Sequence, residues 1–235
     1  MRRVLLMALL VSGLGLGGCD VAPDYIPDYI KAYFSKSTLP TNVAAGTFKG
    51  QVKVLFMEPK KPEDRNVQLL EPFGYRDSKG VDWDVPAGYV SDGASIPWSL
   101  WTFVGGPYDG PYRDAAIIHD YYCEKKTRTW EETHAMFLEA SLRRGVTESV
   151  AQTMYAGILY GGPRWPAPLQ RAQILAQTGT RGPVDTGVTK REATKSEKED
   201  FEEMKRWIEQ TKPTPEQIMK RVEELRQRHG LEAKK

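Results

Sequence analysis

Apolar and polar residues alternate over 46–57, where Phe48, Val52, Val54 and Phe56 share one face. The runs 67–75 and 81–90 are also strand-like, and the turn residues Asp77-Ser78-Lys79-Gly80 join them. This pattern predicts a small antiparallel sheet. Farther along, the apolar period lengthens to that of helices, over 111–126, 130–144 and 148 to about 160. Thr129 with Glu132 three residues on is a capping box for the second helix, and Gly145 ends it. A run of strands followed by a run of helices argues an α+β fold with the helices on one face of the sheet.

Two further helices are predicted near the C-terminus. Ser196 with Glu199 and Thr214 with Gln217 are capping boxes, the second with Pro215 at its first helical position. Phe201, Met204, Trp207 and Ile208 form one apolar stripe, and Ile218, Val222 and Leu225 form another. The segment 196–235 thus reads as an amphipathic helical hairpin, whose stripes either pack at home or dock a partner protein. Between it and a core domain over 46–176, residues 177–195 are rich in Gly, Thr and charge and read as a linker.

The N-terminus follows a different logic. Arg2 and Arg3 precede an apolar run from Val4 to about Leu16, too short to span a bilayer as a stable helix, which is the layout of a signal peptide over 1–18. Leu16-Gly17-Gly18-Cys19 matches the bacterial lipobox, so Cys19 is the expected lipidation site, with palmitate-type acyl chains giving stable anchoring. Asp20 resembles the signal that keeps enteric-type lipoproteins in the inner membrane. Residues 19–45, with Pro23, Pro27, Pro40 and several aromatics, read as a tether that partly docks on the domain. The expected location is the cell envelope, facing the periplasm.

Charge then narrows the partners. The precursor has 33 basic and 31 acidic side chains, and loss of Arg2 and Arg3 with the signal leaves 31 of each, so no net field attracts nucleic acid. Cys123 is the second of two cysteines; with Cys19 lipidated no intrachain disulfide can form, and a lone thiol among aliphatics and aromatics reads as core packing.

The chemistry-bearing residues cluster in two blocks, Val85-Pro86-Ala87-Gly88-Tyr89-Val90-Ser91-Asp92-Gly93-Ala94-Ser95-Ile96-Pro97 and Ala115-Ala116-Ile117-Ile118-His119-Asp120-Tyr121-Tyr122. His119 lies in the apolar stripe of its helix, at i+4 from Ala115, and His134 lies in that of the next, at i+4 from Trp130. A short connection makes these helices antiparallel neighbours, so the two imidazoles are expected to meet. Asp120 points about 100° away from His119, and Asp92 would approach from the sheet side. Asp92, His119 and His134 would then offer a metal site, and His119 with Asp120 a catalytic pair, suited to a divalent ion such as zinc or calcium or to a histidine base oriented by a carboxylate. A satisfied buried network holding helices to sheet is the alternative. Gly105-Gly106-Pro107-Tyr108-Asp109-Gly110 ahead of His119-Asp120 has a faint likeness to the calcium loop of secreted phospholipases A2, but that loop is stapled by disulfides this chain cannot make.

The two blocks resemble the bacterial and phage family catalogued as domain of unknown function 1353, which pairs V-P-x-G-[FY]-x-[ST]-D-x-A-S-I-P with A-A-[IV]-[IL]-H-D-x-[LY]-[YC]. The likeness runs over about 69–165, including the Gly161-Gly162-x-x-Trp165 ending. Many members have aspartate at the position of His134. The resemblance implies a region rather than an activity. Two classes therefore stand: a membrane-anchored, non-catalytic binding or structural module, and a metal- or histidine-dependent hydrolase of an envelope lipid or cell-wall component.

Overall fold

A computed structural model describes residues 46–60, 66–92, 110–179 and 193–231. The signal segment, Cys19, Asp20, the tether, residues 93–109 and most of the linker lie outside the described residues. Among those described, the fold is α+β as expected. Six strands precede six helices: β1 Thr47–Lys49, β2 Val54–Phe56, β3 Val67–Leu69, β4 Phe73–Arg76, β5 Asp82–Val85, β6 Val90–Ser91, then α1 Arg113–Lys125, α2 Trp130–Arg143, α3 Glu148–Gly161, α4 Pro168–Thr178, α5 Lys195–Thr211 and α6 Pro215–Arg228.

The strands differ from the sequence expectation in an orderly way. Each of the three long strand-like runs is broken in the middle, and its halves enter different three-stranded antiparallel sheets, ordered β1-β4-β5 and β2-β3-β6. The breaks fall where the ladder is hardest to continue. Gly50 sits at φ 81° between β1 and β2, Pro72 lies between β3 and β4, and Pro86-Ala87-Gly88, with Gly88 at φ 81°, separates β5 from β6. The 77–80 turn forms as predicted. Asp77 accepts from the backbone N–H of Lys79 (2.9 Å) and Val81 (2.8 Å) and from Trp83 Nε1 (3.0 Å).

The helix starts are set by local chemistry. Thr129 and Glu132 form the reciprocal capping box at α2, and Thr214 with Gln217 does the same for α6. At α5 the box is Thr194 with Glu197, two residues earlier than Ser196 and Glu199, which have the same spacing. The earlier start places Glu197 where it accepts a 2.6 Å hydrogen bond from Tyr160 Oη on α3. Gly145, at φ 87°, closes α2, its N–H bonding the Leu142 carbonyl while that of Val146 bonds Ser141. Helix α4 was not foreseen; Pro168 at its first turn and Gln170 reaching back to Ala167 were its signals.

In the core α1 packs on α2, α2 on α3, and α1 abuts β5 and β6. Glu139 of α2 is buried and ties that helix to the first sheet, accepting from Tyr75 Oη (2.8 Å), the Ser78 N–H (2.7 Å) and Ser78 Oγ (2.7 Å). The C-terminal hairpin does not stand apart. Met204, Ile208, Ile218, Val222 and Leu225 are all buried within the one core, and both hairpin helices lie against α3. Buried Arg226 reaches the carbonyls of Tyr160 and Leu231, and Gln152 of α3 donates to the Pro213 carbonyl at 2.8 Å. The two apolar stripes thus find their partner within the chain. No helix among the described residues is long and apolar enough to cross a membrane.

Candidate metal centre

His119 and His134 meet as their helical faces require. Position 119 lies in the row of α1 that faces α2, and position 134 lies in the facing row of α2, so the two side chains point into one shared, water-poor layer. His119 Nε2 is 2.9 Å from His134 Nδ1. Phe137 stands edge-on to His119, while Trp130 and Trp165 flank His134 with ring centroids 5.6 and 6.2 Å away.

The third member is Cys123, one helical turn after His119 on the same face. Its Sγ lies 3.7 Å from His119 Nδ1 and 3.6 Å from Nε2. One donor atom from each of His119, Cys123 and His134 lies within 4.8 Å of the others. Sequence reasoning assigned Cys123 to core packing; the signal it passed over was the i, i+4 spacing from His119, which puts thiol and imidazole on one row.

Two expected members are placed differently. Asp92 is exposed and outside the donor cluster. The cause is strand alternation: Ser91 points inward and is buried, so its successor points out. The sheet-to-helix contact is made by Ser91 instead, and to Asp120 rather than to a histidine, with Oγ donating to Asp120 Oδ2 at 2.6 Å. Asp120 is buried and directed away from the imidazoles, into a polar groove of about 400 Å³ lined by Asn66, Tyr89, Val90, Asp92, Asp120, Cys123 and Glu124. Cys123 belongs to both places: it lines the groove and faces His119.

Burial fixes the protonation states. It pushes His119 down from 6.5 to about 4. It also holds His134 well below the ordinary value, helped by the charges of His119 and Arg164 and opposed by the Pro163 carbonyl. The Cys123 thiol is pushed well up, by burial first and then by Asp120, against Lys126. Neutral imidazoles with lone pairs available are what a cation needs, whereas a thiol raised in this way is no activated nucleophile. The geometry agrees, since Sγ is nearly equidistant from both ring nitrogens rather than in line with one.

The donors suit an ion of the zinc class. Tetrahedral bonds of about 2.0 Å to nitrogen and 2.3 Å to sulfur imply edges of roughly 3.3 Å between nitrogens and 3.5 Å between nitrogen and sulfur. The 3.6 Å between Cys123 Sγ and His119 Nε2 matches, the Cys123 and His134 donors lie within 4.8 Å, and the imidazoles need to part by a few tenths of an ångström. His134 Nε2 is buried without a hydrogen-bond partner among the described residues, and the Pro163 backbone raises the ring's proton affinity against burial. In the tautomer protonated at Nε2, the Nδ1 lone pair faces His119 Nε2. Nitrogen and sulfur donors do not suit calcium, which takes oxygen.

The chain is 38% identical to uncharacterized protein y4iH of Sinorhizobium fredii (strain NBRC 101917 / NGR234) over 133 residues, 56% of this chain and 52% of that one. It is 42% identical to uncharacterized protein y4jT of the same organism over 98 residues, 42% of this chain and 29% of that one. The chain thus spans about half, or less, of the curated relatives it matches. No solved structure matches it. Residues 67–158, which carry all three donors and every groove-lining residue named above except Asn66, match the family described as protein of unknown function (DUF1353).

Proposed function

We propose that the domain holds a divalent ion of the zinc class on His119 Nε2, Cys123 Sγ and His134 Nδ1, and uses it in hydrolysing an envelope component bound in the adjoining groove. The convergence of the three donors within 4.8 Å carries this reading. An ion there would supply Lewis-acid polarisation of an oxygen of the bound molecule. The protein's own groups do the rest. His119 and His134 hold the dry side of the site. Cys123 marks its wet side, because the same side chain lines the groove. Asp120, steadied by Ser91, presents a carboxylate on that groove to take a proton from attacking water. Three protein donors among the described residues match the open type of zinc site rather than the closed structural type.

A second reading is favoured by one observation. The 2.9 Å contact between the imidazoles is also a hydrogen bond that would lock α1 to α2 in a non-catalytic module. Metal analysis separates the two. The protein purified without chelator, or reconstituted with zinc, is expected to hold close to one ion per chain, and His134→Ala to hold none. A reconstituted wild-type protein without stoichiometric metal would leave the non-catalytic reading.

In the same proposal the chain is tethered to the envelope membrane through acylated Cys19. Metabolic labelling with a fatty-acid analogue should mark the wild type and not Cys19→Ser; labelling that survives the substitution would refute the tether.

A further inference from the structure

The ring of His134 is one end of a stack whose other end lies on the C-terminal hairpin. Trp130, one turn earlier on α2, lies beside that ring with centroids 5.6 Å apart. The Arg164 guanidinium stands over the Trp130 ring, 4.5 Å from its centroid. Two hydrogen bonds fix Arg164 there. Its Nη1 donates to Glu223 Oε2 of α6 at 2.8 Å, and its Nη2 donates to the Leu159 carbonyl near the end of α3 at 3.0 Å. The Arg164 side chain is 15% exposed, so this pair is better shielded than one on the open surface. Helix α6 can supply Glu223 because Ile218, Val222 and Leu225 bury its apolar stripe in the core against α3. The contacts thus run from Glu223 through Arg164 and Trp130 to His134, and both charged members lie outside the family-matched residues 67–158.

The sign of the charge excludes a simpler role. Arg164 is near enough to lower the affinity of His134 for a proton, and the same positive charge would repel a metal ion. By charge alone Arg164 weakens the centre, so any favourable contribution is geometric. A metal-bound histidine usually has its rotation set by a hydrogen bond from its second nitrogen to a carboxylate or carbonyl. His134 Nε2 has no hydrogen-bond partner among the described residues beyond the influence of the Pro163 backbone. Packing therefore carries more of that task. Trp165 is pinned by its indole N–H, which donates to the Arg128 carbonyl at 2.7 Å, and Trp130 is pinned by its cation–π contact with Arg164.

We propose that Arg164, anchored by Glu223, is a positioning residue of the metal centre, holding Trp130 against His134 so that Nδ1 stays aimed at the ion. The C-terminal hairpin is then part of the site as well as a cover for α3. This inference rests on the reading that His119, Cys123 and His134 bind metal. The hairpin also provides a control. Arg221 stands over the Trp207 ring at 4.7 Å and pairs with Glu203 at 2.7 Å, the same chemistry between two helices that carry none of the donors.

Titration of Co²⁺ into the metal-free whole chain tests the proposal, with affinity and the tetrahedral visible bands as readouts. Arg164→Gln is expected to bind cobalt about tenfold more weakly, the lower end of what support for a ligating histidine is worth, and to show weaker, shifted bands. Arg164→Lys keeps the charge but not the planar fork that spans Glu223 and Leu159, and should lose about threefold. Arg221→Gln should keep the wild-type affinity and bands. Unchanged or tighter binding in Arg164→Gln would show that only its charge reaches the site and would overturn the inference while leaving the metal centre standing. Equal weakening in Arg221→Gln would also overturn it, by tracing the loss to docking of the hairpin in general. A wild-type protein that binds no cobalt would refute the metal centre itself, and this role of Arg164 with it.

Discussion

Gly162 caps α3, where its N–H donates to the Ile158 carbonyl at 2.7 Å. Its φ of −77° suits any residue, so alanine there would bring no backbone strain and would gain about 0.4–1 kcal/mol from a stiffer unfolded chain. The added Cβ, however, would lie 2.4 Å from the Ile158 carbonyl oxygen and 3.3 Å from His134 Nε2. A carbon–oxygen contact of this kind normally rests near 3.3 Å, so the end of α3 must move by about 1 Å against a packed core. Overpacking of this type costs about 1–3 kcal/mol, and the entropy gain offsets only part of it. Gly162→Ala should therefore lose roughly 1–2 kcal/mol, lowering Tm by about 2–8 °C for a chain of this size. Thermal melting by circular dichroism measures it. An unchanged or higher Tm would refute the tight packing of Gly162 against the Ile158 carbonyl at the end of α3.

Other consequences concern the site and its supports. In metal-free protein the folded-state value of His119, about 4, lies below its ordinary 6.5, so the unfolded chain binds more protons between those values. Stability should then fall as pH drops from about 6.5 to about 4, with His119 contributing a slope of up to ~1.4 kcal/mol per pH unit; denaturant titrations should show a shallower slope in His119→Gln, and identical slopes would contradict the buried neutral imidazole. Truncation after Gly179 removes α5 and α6 and strips the covering from α3, although it leaves the family-matched segment intact. Loss of even ~4 kcal/mol would lower Tm by about 10 °C, and a truncated chain melting like the whole would show that the hairpin is dispensable to the core.

Much of the architecture was legible in the sequence because it is written in local periodicity. The helices carrying His119 and His134, the Thr129 and Thr214 boxes, and the meeting of the two imidazoles follow from which residues share a helical face. The partition of strands into two sheets was not legible, since alternation continues through Gly50 and Pro72 and tells nothing of which neighbour a half-strand chooses. Helix α4 was missed because the apolar positions over 168–178 do not recur at helical spacing. Within the site, proximity in sequence misled. Asp92 stood next to the residue that reaches the helix, and alternation gave that role to Ser91. Cys123 looked like packing because composition describes a helix as a whole, whereas its chemistry comes from sitting one turn beyond a histidine.

The most direct test of the account is cobalt substitution. Co²⁺ added to metal-free protein should give one equivalent of binding, with visible bands of tetrahedral intensity and a near-ultraviolet sulfur-to-cobalt charge-transfer band that is absent from Cys123→Ser. Loss of the tetrahedral bands in His119→Ala and His134→Ala should complete the donor set. Saturable cobalt binding without the sulfur band, or no binding at all, would contradict a centre built on His119, Cys123 and His134.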